Sequence, residues 1–394
     1  MKQKDLAKYY DIPLTLKDKK ETTGKKELEE MFYKTGDPIL EKVMELRSID
    51  TNINNFIPNW KPHKDGRVRT TWGFSAPSGQ KDSRAPNILN CSKHTVIGKL
   101  FRGIIEAPAG YCFVEFDARS FHVATMGYVA NDKDYIRFSQ LDPHSIFASY
   151  VMPSEWGKPI DLALDDDDIL DRCKWIKAKC KEVKQLDPKH GVNIRQDTAK
   201  PTVLGNQLGL GPVKLQRMNR RAIHSLSEAK VLQATLADLF PKVAKFKDDI
   251  RQLAHQQTYL ILKEWGKIQY FFDVFNYRYN KRVGRWDQGN GTDSEKAIAF
   301  PVQGHAFGMI DMEAMELDLG GYMEEFNFLL GIHDSLMFMP EIGKRDKCIE
   351  VVNGVMSKPC SRLVNDATGP LGLKVGVEVA IGGNWREMKE IRIN

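Results

Sequence analysis

Tyr111-Cys112-Phe113-Val114-Glu115-Phe116-Asp117 is the stretch whose reading decides the fold. Aromatic and branched residues crowd six positions and the run ends on an acid, which predicts a mostly buried strand rather than a helix. A second apolar run, Leu330-Gly331-Ile332-His333-Asp334-Ser335-Leu336-Met337-Phe338, predicts two short strands within residues 328–339, folded about His333-Asp334-Ser335. Residues 374–381 read as another strand, and Cys348, Val351, Val352 and Val355 before it recur at helical spacing. Strands near the middle and end, with helical patterns elsewhere, indicate an α+β chain rather than alternating βαβ units.

Both runs carry an aspartate in an apolar setting: Asp117 at a strand end and Asp334 at a hairpin tip. A buried carboxylate is costly unless it is paired or metal-bound. Two of them can hold a pair of Mg²⁺ ions about 3.5–4 Å apart for in-line transfer of a phosphoryl or nucleotidyl group. Two aspartates can equally cap turns, and each residue alone favours that plainer role.

A third stretch bears on the choice. Residues 195–211 read Arg-Gln-Asp-Thr-Ala-Lys-Pro-Thr-Val-Leu-Gly-Asn-Gln-Leu-Gly-Leu-Gly. Gln196, Lys200, Leu204 and Leu208 are four apart and are expected on one helical face. Pro201 is tolerated if Thr198 is the N-cap and the proline falls in the first turn. Lys200 would then stand at a helix N-terminus, where free N–H groups and the dipole favour phosphate. An ordinary amphipathic helix with a solvated lysine has the same pattern.

The rest of the chain sets limits. Within 394 residues, 58 basic and 52 acidic side chains leave a charge of +6, compatible with an anionic partner but too small to establish one. Hydrophobic residues make up 42%, enough for a real core, and no long uncharged apolar run predicts a membrane span. The first residues lack an apolar signal core, so a cytoplasmic protein is expected. The six cysteines contain no Cys-x-x-Cys and read as reduced, buried thiols rather than a zinc site. Residues 1–64 are lysine-rich, with Leu28, Met31 and Phe32, then Ile39, Val43, Met44 and Leu46, at helical spacing. Residues 64–90 read as extended chain and turns. The aspartates at 165–168 read as a solvated loop or helix start rather than a metal cage, and a lysine-rich stretch follows. Residues 212–264 read as helical throughout, punctuated at Pro241.

Taken together, these stretches resemble the polymerase region of family A DNA polymerases, the bacterial DNA polymerase I class. Val114-Glu115-Phe116-Asp117 is similar to the first catalytic motif, and His333-Asp334-Ser335 to the family's His-Asp-Glu motif. Residues 195–209 resemble the nucleotide-binding helix, with pattern Arg-x3-Lys-x3-aromatic-Gly-x2-Tyr-Gly. Pro86-Asn87-Ile88-Leu89-Asn90, Asp142-Pro143-His144-Ser145, Pro301-Val302-Gln303-Gly304 and Gly383-Asn384-Trp385 resemble four further family segments, in order. The resemblance covers nearly the whole chain. It implies a right-hand fold with an antiparallel palm sheet, helical fingers and a truncated thumb. Partial thumb is expected over 1–64, palm over 65–135 and 296–394, and fingers over 136–295 with an insertion near 150–195.

The resemblance further implies a template-directed DNA polymerase that adds dNTPs to a primer 3′ end with two Mg²⁺ ions, Mn²⁺ being a substitute. Asp117, Asp334 and the Ala118 carbonyl would be the metal ligands. Lys200, with Arg195, Gln196, His144, His122, Leu204 and Leu208, would form the nucleotide site. Arg84, Asn87, Asn90, Gln303 and His333 would meet the template–primer. The partners implied are primed DNA and dNTPs, with a separate chain for thumb, exonuclease or processivity functions; neither a membrane nor a proofreading domain is expected, and the setting would be a bacterial or phage-infected cytoplasm. The chain departs from the family pattern in several places. The arginine expected four before Lys200 is Gln196, with Arg195 one residue early. Leu204 and Leu208 replace an aromatic and a tyrosine, His122 replaces the glutamate that screens out ribose, and Ser335 replaces the last glutamate of its motif. His122 and Ser335 motivate an RNA polymerase or sugar-relaxed polymerase as a rival. The altered helix and partial thumb motivate a non-catalytic nucleic-acid-binding subunit.

Overall fold

The computed structural model describes residues 15–17, 20–22, 25–56, 58, 60–73, 81–91, 93, 96–187, 191–280 and 283–392. The chain divides into two compact units, Met1–Gly73 with Asp82–Gly103, and Phe74–Lys81 with Ile104–Asn394. In the first, strands β1 (Thr15–Lys17) and β2 (Lys20–Thr22) pair antiparallel. Helices α1 (Lys25–Thr35) and α2 (Pro38–Phe56) follow. The helical spacing at Leu28 and Met31 is the reason they meet: both are fully buried, together with Leu40. Pro38 opens α2, where its missing N–H costs nothing, and Asp37 Oδ1 accepts the Ile39 N–H at 2.9 Å. Strands β3 (Thr71–Gly73) and β4 (Asp82–Arg84) form a second antiparallel pair, and α3 (Val96–Gly103) closes the unit.

The second unit opens with β5 (Phe113–Ala118). Helices α4 (Phe121–Val129), α5 (Lys133–Gln140), α6 (Pro143–Val151) and α7 (Asp166–Leu186) come next. A π-helical turn (Ile194–Ala199) then runs into α8 (Lys200–Gln207). Helices α9 (Pro212–Met218), α10 (Leu226–Leu239) and α11 (Pro241–Gln257) precede two antiparallel hairpins. These are β6 (Tyr259–Leu262) with β7 (Lys267–Tyr270), and β8 (Phe275–Asn280) with β9 (Arg285–Asn290). The long helix α12 (Ser294–Leu319) and the short α13 (Tyr322–Glu325) lead into the predicted hairpin, β10 (Phe328–Ile332) and β11 (Ser335–Phe338). Helix α14 (Arg345–Met356) and strands β12 (Val377–Gly382) and β13 (Lys389–Ile391) end the chain.

One sheet organises this unit. Its order is β10-β11-β5-β12-β13, every pair antiparallel. Alternation along β5 sends Val114, Phe116 and Ala118 to one face and Phe113, Glu115 and Asp117 to the other. The first set is buried with Leu336, Phe338 and Val379 from the neighbouring strands, against Ala306, Met309 and Ile310 of α12 and Cys348 and Val352 of α14. The Phe116 and Phe338 rings meet edge to face at 5.9 Å.

Helices α4 to α11 enclose a second core, centred on Phe138, Phe147, Ile176, Val203 and Leu236. Asp165 caps α7 by accepting the Asp168 N–H at 2.9 Å, and Asp166, Asp167 and Asp168 fill the first turn at the positive end of the dipole. The acidic run is therefore a helix start. Among the described residues no group of three or more His, Cys, Asp or Glu is arranged to hold a metal. All six cysteines are free and buried. No helix among the described residues is long and apolar enough to cross a membrane.

Two expectations change. Residues 212–264 are not helical throughout, because α11 stops at Thr258, which adopts a left-handed conformation (φ 62°), and β6 begins at Tyr259. A glycine usually takes that stop, so a threonine left no punctuation to read. Thr198 is also not an N-cap. The helix starts at Asn193, whose side chain accepts the Gln196 N–H at 3.0 Å, and the first turn is π-helical.

An ion pair pins that turn to α6. Asp142 caps α6 through the Ser145 N–H (3.1 Å) and accepts Arg195 Nη2 at 3.0 Å on both oxygens, while Arg195 Nε donates to Ser145 Oγ at 2.8 Å. The side chains are 13% and 15% exposed. Burial alone would raise the Asp142 carboxyl, but the Arg195 charge and the Ser145 hydrogen bonds outweigh it and hold the group below the usual carboxylate range. Its contribution to stability is thus complete above the ordinary aspartate range and is lost as pH falls through the depressed value. Asp142→Ala leaves Arg195 buried without a counter-charge, and urea unfolding should show a loss of about 3–5 kcal/mol. Phe116→Ala should cost a similar ~3–5 kcal/mol through the cavity it leaves. A change below about 1 kcal/mol in either would contradict this packing.

Candidate functional site

The sheet brings the two aspartates together. Asp117 pairs with Ser335 across β5–β11, and the Ala118 N–H donates to the Asp334 carbonyl at 3.0 Å. His333 and Asp334 are the two residues of the tight turn between Ile332 and Ser335, with His333 at φ 53° and exposed. The polar face of the sheet therefore presents Glu115 and Asp117 from β5, Ser335 from β11 and Glu378 from β12, the last in register with Asp117. Ser335 Oγ donates to the Ile332 carbonyl (3.0 Å) and to Glu115 Oε1 (3.4 Å), while Glu378 lies 3.8 Å from the Arg119 guanidinium. Glu115 and Glu378 were not singled out from sequence. The signal for Glu115 was its spacing of two from Asp117, which puts both on one face.

His122, at the start of α4, lies near Asp334 and His333. Burial pushes its imidazole below the ordinary range; Asp334 opposes the shift and His333 adds to it. Its buried Nε2 finds no partner among the described residues, and its ring lies 6.5 Å from that of Phe307. Phe307 shares a helical stripe of α12 with Gln303 and Asp311, and a small hollow between Phe307, Asp311, Lys81, Gly331 and His333 adjoins it. Gln303 is thus carried on the side of α12 that faces the hairpin turn.

The cationic part of the site comes from the π-turn and α6. The Lys200 N–H bonds the Arg195 carbonyl, five residues back. A π-turn absorbs one extra residue, so Arg195 lies one wide turn before Lys200, where a regular helix would have Gln196. The residue that looked one position early is restored by the backbone. Gln196 is exposed. Lys200 is inside a continuous helix, so free N–H groups do not assist it and its contribution is the side-chain charge alone. Pro201 is carried in the turn just after the π segment, and Thr202 Oγ1 bonds the Thr198 carbonyl at 2.8 Å. After Leu208, Gly209 turns left-handed (φ 69°) and the Leu210 N–H returns to Gly205 at 2.8 Å, closing the helix.

Arg195 is committed through two of its nitrogens, Nη2 to Asp142 and Nε to Ser145, leaving Nη1 without a partner among the described residues. His144 follows Pro143 in α6. Burial, then the Arg195 charge, push its imidazole down to about 4, with Asp142 opposing and Lys200 adding to the shift. It is therefore neutral at neutral pH, with one nitrogen a donor and the other an acceptor. Its buried Nδ1 has no partner among the described residues. His144, Arg195 and Lys200 form one electrostatic group, and α4, which carries His122, packs against α8.

Arg84 and Asn87 belong to the first unit. Arg84 is exposed and paired with Asp82 at 2.8 Å, and Asn87 Oδ1 accepts the Ser83 hydroxyl at 3.0 Å. The side chain of Asn90 lies outside the described residues. Trp385 is buried, and its backbone N–H reaches the Ile105 carbonyl at 3.1 Å.

No family model matches the chain, and no curated protein matches it in sequence. A solved structure does: the POL domain of Pol1 from M. smegmatis, in complex with DNA primer-template and dNTP, aligns with a TM-score of 0.67 at 20% identity. The alignment covers 98% of this chain, which spans 61% of that one. The protein has the fold of that polymerase domain.

Proposed function

We propose that the protein is a template-directed DNA polymerase that adds dNTPs to a primer 3′ end. The observation that carries this reading is the Ala118–Asp334 hydrogen bond, which brings the hairpin turn holding Asp334 next to Asp117 at the end of β5. The likeness of fold to a polymerase domain supports it. On this reading the sheet and α12 belong to the palm (65–135 and 296–394), residues 136–295 to the fingers, with α7 in the expected insertion, and 1–64 to part of a thumb.

Asp117, Asp334 and the Ala118 carbonyl offer oxygen donors only, which suits Mg²⁺ and, as a substitute, Mn²⁺. Two carboxylates rather than a closed cage leave positions for substrate phosphates and water, the usual arrangement for this ion. When bound, the ions lower the pKa of the attacking hydroxyl and neutralise charge on the triphosphate. The protein's own groups do the rest. Lys200 and the open Nη1 of Arg195 meet the phosphates, and Lys200 gives a proton to the leaving pyrophosphate. The neutral His144 can donate a hydrogen bond to the same oxygens without adding a full charge. Asp142 holds Arg195 still, so the ordering cost of that clamp is met on folding rather than at binding. Leu204 and Leu208 present apolar surface to the incoming base. Arg84, Asn87, Asn90, Gln303 and His333 are assigned to the template–primer.

His122 favours a second reading of sugar choice. It is buried beside Asp334 with an unused Nε2, where the resembling family carries a glutamate. We assign it the exclusion of the ribose 2′-hydroxyl by bulk. Comparing dNTP with rNTP incorporation tests this: His122→Ala should reduce the preference for dNTPs by about 10- to 100-fold, and an unchanged ratio would remove His122 from that role.

Primer extension on a primed template decides the main reading. Asp117→Ala and Asp334→Ala should each slow extension by a factor on the order of 10³ or more, because several kcal/mol of transition-state stabilisation is lost, while DNA binding persists. Lys200→Ala should cost on the order of 10²-fold in rate. Rates near wild type in either aspartate variant would overturn the assignment.

A further inference from the structure

Eight large aromatic side chains are exposed among the described residues, and five of them, Tyr270, Phe272, Tyr277, Tyr279 and Trp286, fall within residues 270–286. This is the β8–β9 hairpin and the segment leading into it. In register, Tyr279 faces Trp286 and Tyr277 faces Gln288, so alternation puts Tyr277, Tyr279 and Trp286 on one face. Their exposures are 53%, 52% and 65%. The Tyr279 and Trp286 rings touch edge to face at 5.5 Å, a cross-strand pair that holds the hairpin without burying either ring. Phe272, 82% exposed, stacks on Tyr270 at 6.3 Å with the planes 5° apart.

The base of the hairpin is rigid. Asp273 Oδ2 accepts the Thr292 N–H and hydroxyl, both at 2.8 Å, and Asp293 Oδ2 accepts the Phe272 and Asp273 N–H groups at 3.0 and 3.2 Å. The Asp293 N–H returns to the Asp273 carbonyl at 2.8 Å. Gly291 is required in this clasp, since a Cβ there would lie 2.2 Å from the Asp273 carbonyl oxygen. The clasp leads straight into α12, the helix that carries Gln303 and Phe307.

Charge identifies the occupant. By sequence, residues 275–290 contain Arg278, Lys281, Arg282 and Arg285 against one acid, Asp287; Lys281, Arg282 and the side chain of Arg278 lie outside the described residues. That acid is already held by Arg285 at 3.1 Å and Asn280 at 2.7 Å. Exposed rings on a net-positive, two-stranded arm match what unpaired nucleotides need: flat faces for the bases and cations for the backbone. A duplex hides its base faces and cannot use the rings.

We propose that the β8–β9 hairpin is a stacking platform for single-stranded DNA. On the polymerase reading, that strand is the template before it is copied; the binding itself stands without that reading. Fluorescence polarisation with a labelled oligothymidylate and a blunt duplex of equal length, without Mg²⁺ or dNTPs, tests it. Tyr279→Ala with Trp286→Ala should weaken oligothymidylate binding by about tenfold or more and leave duplex binding within about twofold. Tyr277→Ala, which keeps the Tyr279–Trp286 pair, should lose several-fold on the single strand with unchanged urea unfolding. Trp175→Ala, at an exposed ring on α7 away from the hairpin, should bind oligothymidylate as wild type does. Equal oligothymidylate affinity in wild type and hairpin variants overturns the platform, even in a protein that extends primers. A hairpin-dependent loss in a protein that extends nothing upholds the platform and removes the polymerase.

Discussion

The pairing of β5 with β11 is the constraint on which the rest depends. One backbone bond, from the Ala118 N–H to the Asp334 carbonyl, joins two segments more than two hundred residues apart in sequence and fixes their register. Because strand side chains alternate, a slip of one residue would bury Asp117 in the apolar core and expose Phe116. The hydrophobic face thus enforces the position of the acids. Val114, Phe116, Leu336, Phe338 and Val379 cannot be packed against α12 and α14 without presenting Glu115, Asp117 and Ser335 on the other side.

Opposite charge is supplied by a different device. Arg195 and Lys200 project from one helix whose first turn is π-helical, and the extra residue in that turn keeps them one turn apart. Asp142 neutralises part of Arg195, and burial keeps His144 uncharged, so the cationic group is graded rather than a plain cluster of like charges. Helix α4 packs against α8 while carrying His122 beside Asp334, which couples the acidic and basic halves through one rigid element.

Much of this was legible in the sequence because it follows from short-range rules. The apolar runs around Asp117 and Asp334 became β5, β10 and β11, and the aspartate run became the cap and first turn of α7. Leu28 and Met31 became the buried stripe of α1. What could not be read depends on backbone states without a residue signature. The π-turn has no compositional mark, so Gln196 was expected on the Lys200 face and Thr198 was expected as the cap. The end of α11 uses a left-handed threonine, which hid β6. The β8–β9 hairpin has strands whose aromatic face is exposed, so neither burial nor periodicity announced it. Asp117 and Asp334 stood out by context and Glu115 could be read from its spacing of two from Asp117, but Glu378 needed the register of the sheet.

The central claim is that Asp117 and Asp334 together form the metal-dependent centre of nucleotidyl transfer. The most direct measurement is anomalous scattering from crystals of the protein with primed template, a non-hydrolysable dNTP analogue and Mn²⁺. The account predicts manganese peaks bridged by the Asp117 and Asp334 carboxylates and in contact with the triphosphate. A nucleotide bound with no manganese between those two residues, or with manganese held elsewhere, would contradict it.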